Sequence, residues 1–361
     1  MSFVEDNTAY EAWLRTQCAV IDAGLTRKHK RMCRHSLSFL RATFFRWCKL
    51  IETWCSELKG APGVLAVGDV HIENFGTWRD AEGRLVWGIN DFDDASVMPY
   101  AYDLVRLATS ARLVPAPQIG YRDMAEAILR GYRAGLDGPR PTLLDEHEAW
   151  MRPFVACSDR DREVFWAEIA DLPSAKPPAP VATGLRESLP ADASIVRFTT
   201  RLKGGGSLGR PRYAVVASWR GGHIVREGKA LVASGWDWAH GTPAAPSRFS
   251  TLANGRFRSP DPFLRVADGF IFRRIAADAR KVELGDSAAS LGERLLESMG
   301  FDIGAIHAAG SIKPATLRAD LDARSSGWLH AAAKKAAAEV EKDYAEWTHH
   351  CPPSLARERK P

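Results

Sequence analysis

The chain has 361 residues, 45% hydrophobic and 26% charged, enough for one large folded domain or two ordinary ones. Its 49 Lys and Arg against 44 Asp and Glu leave a formal charge of +5. That surplus is too mild and too evenly spread for a nucleic-acid footprint, and no apolar stretch reaches the ~18 residues of a membrane span. The basic run Arg27–Arg31 and the tail Arg357–Lys360 read as solvated faces. The N-terminus lacks the charged-then-apolar order of a signal peptide. The six cysteines (Cys18, Cys33, Cys48, Cys55, Cys157, Cys351) form no C-x-x-C pair and read as free, mostly buried thiols. The expectation is a cytoplasmic protein with neither nucleic-acid nor membrane partners.

Residues 8–60 carry apolar positions at helical spacing (Leu37, Leu40, Phe44, Phe45, Cys48, Ile51), and Pro62-Gly63 ends the pattern. Val64–Val67 is a short apolar run of the buried-strand type that leads into Gly68-Asp69. Asn74–Trp78 and Leu85–Asn90 flank the polar turn Arg79–Arg84 and predict a hairpin, which ends at Asp91-Phe92-Asp93-Asp94. Helices are predicted over Ala101–Arg112 and Tyr121–Leu136. Residues 171–193, rich in Pro, Ala and Ser, read as a linker or long loop. Strands follow at Ile195–Lys203, Arg212–Trp219, His223–Arg226 and Gly269–Ile275, the first two joined by the glycine-rich Gly204–Gly209. Helices over Ser290–His307 and Leu329–Trp347 complete an α+β order.

The chemistry concentrates in Gly68–Asn74 and Asn90–Ala95. Phosphoryl transfer asks for a carboxylate that orients the attacking hydroxyl and for hard oxygen donors that hold Mg²⁺ on the phosphates. Asp69, the amide of Asn74 five residues on, and Asp91 at the end of the neighbouring strand supply these parts, because the hairpin returns the second loop to the first. Asp and Asn are also common turn formers, so a lone D-x-x-x-x-N would be weak. Acidic and amide positions grouped at the ends of two strands are harder to explain as turns. Gly204, Gly205, Gly206, Ser207 and Gly209 can lay backbone N–H groups over phosphates, with Lys229 reaching them, or can form an ordinary hairpin turn.

At these residues the sequence resembles the aminoglycoside-phosphotransferase and choline-kinase type of kinase-like enzyme. In that group the catalytic loop reads H-G-D-x-H-x-x-N and the metal loop I-D-F-x-D-A. The resemblance implies that Asp69 is the catalytic base, that Asn74 and Asp91 are ligands of Mg²⁺, and that Asp103 pins the catalytic loop through backbone hydrogen bonds. Two departures stand out: Val67 occupies the place of the first His, and Asp93 that of the Gly after Asp-Phe, where it adds a candidate metal ligand. Over most of its length the chain also resembles the bacterial domain-of-unknown-function-2252 family, through Lys30-Arg31-Met32, Ser38–Arg41, Gly68–Gly76, Asn90–Asp93, Asp103–Ala108, Gly206–Gly209, Arg226–Ala230 and Asp343-Tyr344.

In ordinary kinases the Gly-rich loop and the Lys precede the catalytic loop; here they follow it. Either the fold is a circularly permuted kinase-like fold or the glycine match is accidental. The division this suggests is 1–170 for the helical region with catalytic loop and metal hairpin, 171–193 for the linker, 194–285 for a β-rich nucleotide lobe and 286–361 for C-terminal helices. The expected activity is Mg²⁺- and ATP-dependent phosphotransfer to a small-molecule hydroxyl. The alternatives are a non-catalytic nucleotide-binding protein and a metal-dependent phosphoester hydrolase using Asp69, His71, Asp91 and Asp93. His71-Ile72-Glu73 has the H-x-E form of zinc deaminases without the P-C-x-x-C that completes it, so His71 is expected to hydrogen-bond within its loop. His307 is expected to be a packed, satisfied histidine. Arg273, Arg274 and Lys281 can bind phosphate or form exposed strand and loop, and Glu283 can pair with Lys229.

Overall fold

The computed structural model describes residues 2–115, 117, 119–245, 247–281 and 288–352. Four helices open the chain: α1 (Phe3–Gln17), α2 (Asp22–Met32), α3 (Ser36–Leu40) and α4 (Phe44–Trp54). A Ser2–Glu5 capping box starts α1, satisfying N–H groups that the first helical turn leaves free. The region of the Asp69 loop follows as β1 (Gly63–Ala66), β2 (Phe75–Arg79), β3 (Leu85–Ile89) and β4 (Ser96–Pro99), then α5 (Tyr100–Arg112), α6 (Tyr121–Asp137) and the two-residue β5 (Thr142–Leu143). Three further helices are α7 (Arg152–Val155), α8 (Asp159–Ala170) and α9 (Ala179–Glu187). Next come β6 (Ser194–Thr200), β7 (Arg212–Trp219), β8 (Gly222–Ala230), α10 (Gly235–His240), α11 (Ser247–Ala253), β9 (Arg265–Ala267) and β10 (Phe270–Ile275). The chain ends in α12 (Ala288–Ala308), α13 (Pro314–Ala323) and α14 (Trp328–Thr348). This is an α+β protein.

The predicted hairpin is present: β2 and β3 pair antiparallel, Phe75 opposite Ile89, and β5 adds to β3. β1 pairs instead with β4, which the sequence reading left unassigned. The later strands form an antiparallel sheet in the order β6-β7-β8-β10-β9. One face of that sheet buries Ala214, Val216 and Val225 against Ile169 of α8. The other buries Val215 and Phe272 against Val181 and Leu185 of α9. Residues 171–193 are therefore not loop throughout. Pro180 lies in the first turn of α9, where a missing N–H costs nothing, and Val181 and Leu185 one turn apart give the helix an apolar edge.

The main core joins α4, α5, α6, α12 and α14 around Ile51, Leu104, Leu107, Ile128 and Ile303. α6 and α12 meet backbone to backbone: a Cβ built on Gly304 would stand 3.0 Å from the Cα of Gly135. The basic run does not form a solvated face throughout. Lys28 is 1% exposed, its ammonium 5.5 and 5.4 Å from the ring centroids of Tyr10 and Phe45. Arg357–Lys360 lie outside the described residues.

The reading of six free thiols is corrected. Cys33 and Cys351 form a disulfide that joins the end of α2 to the chain after α14, and Cys18, Cys48, Cys55 and Cys157 are free. Disulfides are features of oxidising compartments, so the cysteines lend no support to the cytoplasmic expectation. Among the described residues no helix is long and apolar enough to cross a membrane.

Candidate active site

The loop after β1 is fixed from beneath. Gly68 adopts φ +85°, a region other residues rarely enter, and this turns the chain sharply at Asp69. Asp103, in the first turn of α5, accepts the N–H of Val67 at 2.8 Å and of Gly68 at 2.9 Å. His307 of α12 lies with Nε2 3.2 Å from the same carboxylate and Nδ1 2.9 Å from the Tyr132 hydroxyl of α6. All three side chains are buried, so the loop rests on a hydrogen-bonded column through the helical core. His307 is the packed, satisfied histidine expected. His71 accepts the Glu73 N–H through Nδ1, while burial, followed by the nearby Arg41 and Lys281, drives its pKa well below the usual histidine value. It is neutral and holds its own loop.

Asp69 keeps one oxygen for the protein and turns the other to the cleft. Its Oδ1 accepts from Arg106 Nε (2.9 Å) and Nη2 (2.5 Å), and Arg106 also donates to the Leu40 carbonyl. The guanidinium lies over the rings of Phe44 and Trp47, whose faces favour a cation. Burial raises the Asp69 pKa to about 6 even though Arg106 lowers it, a value suited to a proton acceptor near neutrality. Sequence reasoning assigned Arg106 no role. The signal was there, since it follows Asp103 by three residues on α5 and so shares its face.

The hairpin brings the second loop to the first. Asn74 donates through Nδ2 to the carbonyl of Asp69 and to that of Asp91, both at 3.1 Å, which leaves its Oδ1 as the atom available to a cation. Asp91 and Asp93 both meet Lys229 of β8. Its Nζ is 2.9 and 3.2 Å from the two Asp91 oxygens and 2.5 Å from Asp93 Oδ2. Arg210 adds a bond to Asp93 at 3.0 Å. Burial would raise the Asp91 pKa, but Lys229 holds it well below the carboxylate range. Burial and then the charge of Asp91 push Asp93 up to about 7. Asp93 Oδ1 is buried without a hydrogen-bond partner among the described residues.

The sheet presents charge to this loop. Lys229 lies opposite Arg212, and Glu227 lies opposite Arg273. Glu227, fully buried, accepts from Arg201 and Arg212 at 2.8 Å and from Arg273 at 3.0 Å. Three arginines on one carboxylate leave this wall positive, and the Glu227 pKa falls well below the usual range although burial opposes it.

The glycine-rich segment lies against the Asp69 loop. A Cβ built on Gly206 would stand 2.7 Å from the Arg41 carbonyl oxygen and 3.8 Å from Asp69 Oδ2. Gly204 accepts from Arg31 through its carbonyl, and Ser207 from Arg212 at 3.1 Å. Gly209 has a different place. Its carbonyl accepts the Ile21 N–H at 2.8 Å and its backbone abuts Gly24 of α2, so it anchors the segment and does not line the cleft.

A cavity of about 1100 Å³ opens between these parts, lined by Asp69, Asn74, Asp91, Asp93, Lys229 and Gly204–Ser207. Fourteen Lys and Arg line it against eight Asp and Glu, so its lining carries a net positive charge. Among the described residues no three His, Cys, Asp or Glu side chains are grouped to cage a metal. The donors fit a different pattern, in which Mg²⁺ takes a carboxylate or two and an amide oxygen from protein and the remaining oxygens from phosphates. Arg273 and Arg274 line the same cavity, Lys281 is exposed at its edge, and Glu283 lies outside the described residues.

No curated protein and no solved structure matches the chain. Residues 21–154, which run from α2 through the loops of Asp69, Asn74 and Asp91 to α7, match the model of the family described as "Uncharacterized protein conserved in bacteria (DUF2252)", and it is to this family that the chain is similar.

Proposed function

We propose that the protein is a Mg²⁺-dependent, ATP-using phosphotransferase acting on a small-molecule hydroxyl, with a circularly permuted kinase-like arrangement. One observation carries the reading. Lys229, on the sheet joined by the glycine-rich segment, reaches Asp91, while Gly206 of that segment lies over Asp69. A phosphate-facing loop, a lysine, a proton acceptor and metal-binding oxygens thus meet in one positively lined cleft, although more than a hundred residues separate their sources. In this mechanism Asn74 Oδ1 and Asp91 hold Mg²⁺, with Asp93 beside them, and the ion supplies charge neutralisation at the phosphate oxygens. Lys229 and the Gly204–Ser207 backbone hold the nucleotide. Asp69 accepts the hydroxyl proton through Oδ2 while Arg106 fixes Oδ1.

The test is Asp91→Ala. Mg²⁺-dependent ATP turnover should vanish while the circular dichroism spectrum stays unchanged, and undiminished turnover would remove Asp91 from the mechanism. A second reading, nucleotide binding without transfer, is favoured by the tie of Lys229 and Arg210 to Asp93 at the place of the usual glycine. Nucleotide binding without phosphate release in the wild-type protein would select it.

A further inference from the structure

Nine of the cleft's cations fall into two groups. On the sheet side each has a carboxylate: Arg201, Arg212 and Arg273 meet Glu227, while Lys229 and Arg210 meet Asp91 and Asp93. On the helical side Arg31, Arg34, Arg41 and Lys281 share, among the described residues, a single one, Glu73, which pairs with Arg41. Among the described residues Arg31 and Lys281 donate to backbone carbonyls, of Gly204 and, at 2.7 Å, of Glu73. Among the described residues neither these two nor Arg34 has a carboxylate partner. Carbonyl bonds satisfy donors without cancelling charge, so among the described residues this side keeps a local excess of positive charge. Arg41 adds a second observation: its Nε is buried with no hydrogen-bond partner, although Nη1 is engaged. Its guanidinium lies at the glycine-rich segment, 3.4 Å from a Cβ built on Gly205, beside the Gly206 that covers Asp69.

We infer that this second group binds an anionic substituent, phosphate or carboxylate, on the acceptor whose hydroxyl faces Asp69. The inference rests on the phosphotransfer reading and narrows it to a class of substrate. An anion beside the Arg41 guanidinium and Lys281 gives the excess charge a counter-charge, and charge-assisted bonds of this kind are the strong ones. An aminated or quaternary acceptor would meet like charge. In the transfer, Asp69 takes the hydroxyl proton as the acceptor oxygen bonds to the γ-phosphorus of ATP. The bond from that phosphorus to the β-phosphate oxygen breaks, so ADP leaves with the electron pair.

The experiment uses the whole chain in calorimetry. A non-hydrolysable ATP analogue with Mg²⁺ is titrated first, and 3-phosphoglycerate, inorganic phosphate, glycerol and choline are titrated into the resulting complex. The expected result is binding of 3-phosphoglycerate and phosphate but of neither glycerol nor choline. Arg41→Gln or Lys281→Gln should weaken it about tenfold with nucleotide affinity unchanged; the exposed Lys281 keeps the test available where Arg41→Gln fails to fold. Nucleotide binding with no anion preference, unaltered phosphate affinity in a folded variant, or a loss of nucleotide affinity in its place would each overturn the inference while leaving the phosphotransfer reading standing. Absence of nucleotide binding would overturn both.

Discussion

Asp103→Asn is the most informative perturbation of the Asp69 loop, because it exchanges one oxygen for an NH₂ at nearly unchanged volume. In the wild-type protein Oδ2 accepts the Val67 N–H and lies 3.2 Å from His307 Nε2, while Oδ1 accepts the Gly68 N–H, all away from water. An asparagine must turn its NH₂ toward one of these donors. At least one backbone N–H then loses its acceptor, and the new NH₂ faces a donor. A buried unsatisfied polar group costs about 1–3 kcal/mol, so with two such groups the variant should lose about 2–6 kcal/mol. That is a large share of the roughly 5–15 kcal/mol a folded protein holds. Urea unfolding reads this as a lower midpoint at unchanged slope. Ser110→Ala, which removes the acceptor of the Ile72 N–H in the same loop, should cost about 1–2 kcal/mol and serves as the scale. A midpoint for Asp103→Asn within error of wild type would refute the claim that this carboxylate holds the loop.

Other consequences are as direct. Burial lowers the Lys28 pKa from 10.5 to about 8, so folding is penalised wherever lysine is protonated in both states. Lys28→Met should therefore raise stability by about 3 kcal/mol at pH 7. The gain should shrink as pH rises from 8 and vanish above about 10.5, since the unfolded chain holds the extra proton across that window. An unfolding series with a constant difference across pH would contradict this. Gly206→Ala sets a Cβ against the Arg41 carbonyl, a backbone atom that cannot yield, so the segment must lift. Overpacking of this kind costs about 1–3 kcal/mol, and nucleotide titration should read it as weaker binding. The Cys33–Cys351 bond closes a separation of 318 residues, and its reduction should lower the melting temperature. Thiol titration of the denatured chain should return the four free cysteines before reduction and all six after it.

Much of the site was legible because it is local. Gly68–Asn74 and the β2–β3 hairpin are short-range features, and a strand, a turn and a returning strand bring Asn74 to Asp91 without help from the rest of the chain. Asp103 came with the resemblance. Contacts made by distant segments were not legible. The Arg210–Asp93 pair and the placement of Gly206 over Asp69 depend on how the sheet docks, which no local pattern encodes. Lys28 was hidden by its neighbours, since a run of five basic residues reads as surface although one of them points inward at aromatic rings. α9 was hidden by composition, because prolines that suggest a loop are also tolerated in a first helical turn. The disulfide joins opposite ends of the chain, and spacing carries no trace of such a pair.

The central claim is that Lys229 and the Asp91 loop serve one nucleotide and one Mg²⁺ together. Titration of a non-hydrolysable ATP analogue, with and without Mg²⁺, into the wild type, Asp91→Ala and Lys229→Met tests it most directly. The account predicts Mg²⁺-enhanced binding to the wild type, loss of that enhancement in Asp91→Ala, and weakened binding in Lys229→Met under both conditions. Wild-type protein that ignores the nucleotide, or variants that bind it as the wild type does, would contradict the account.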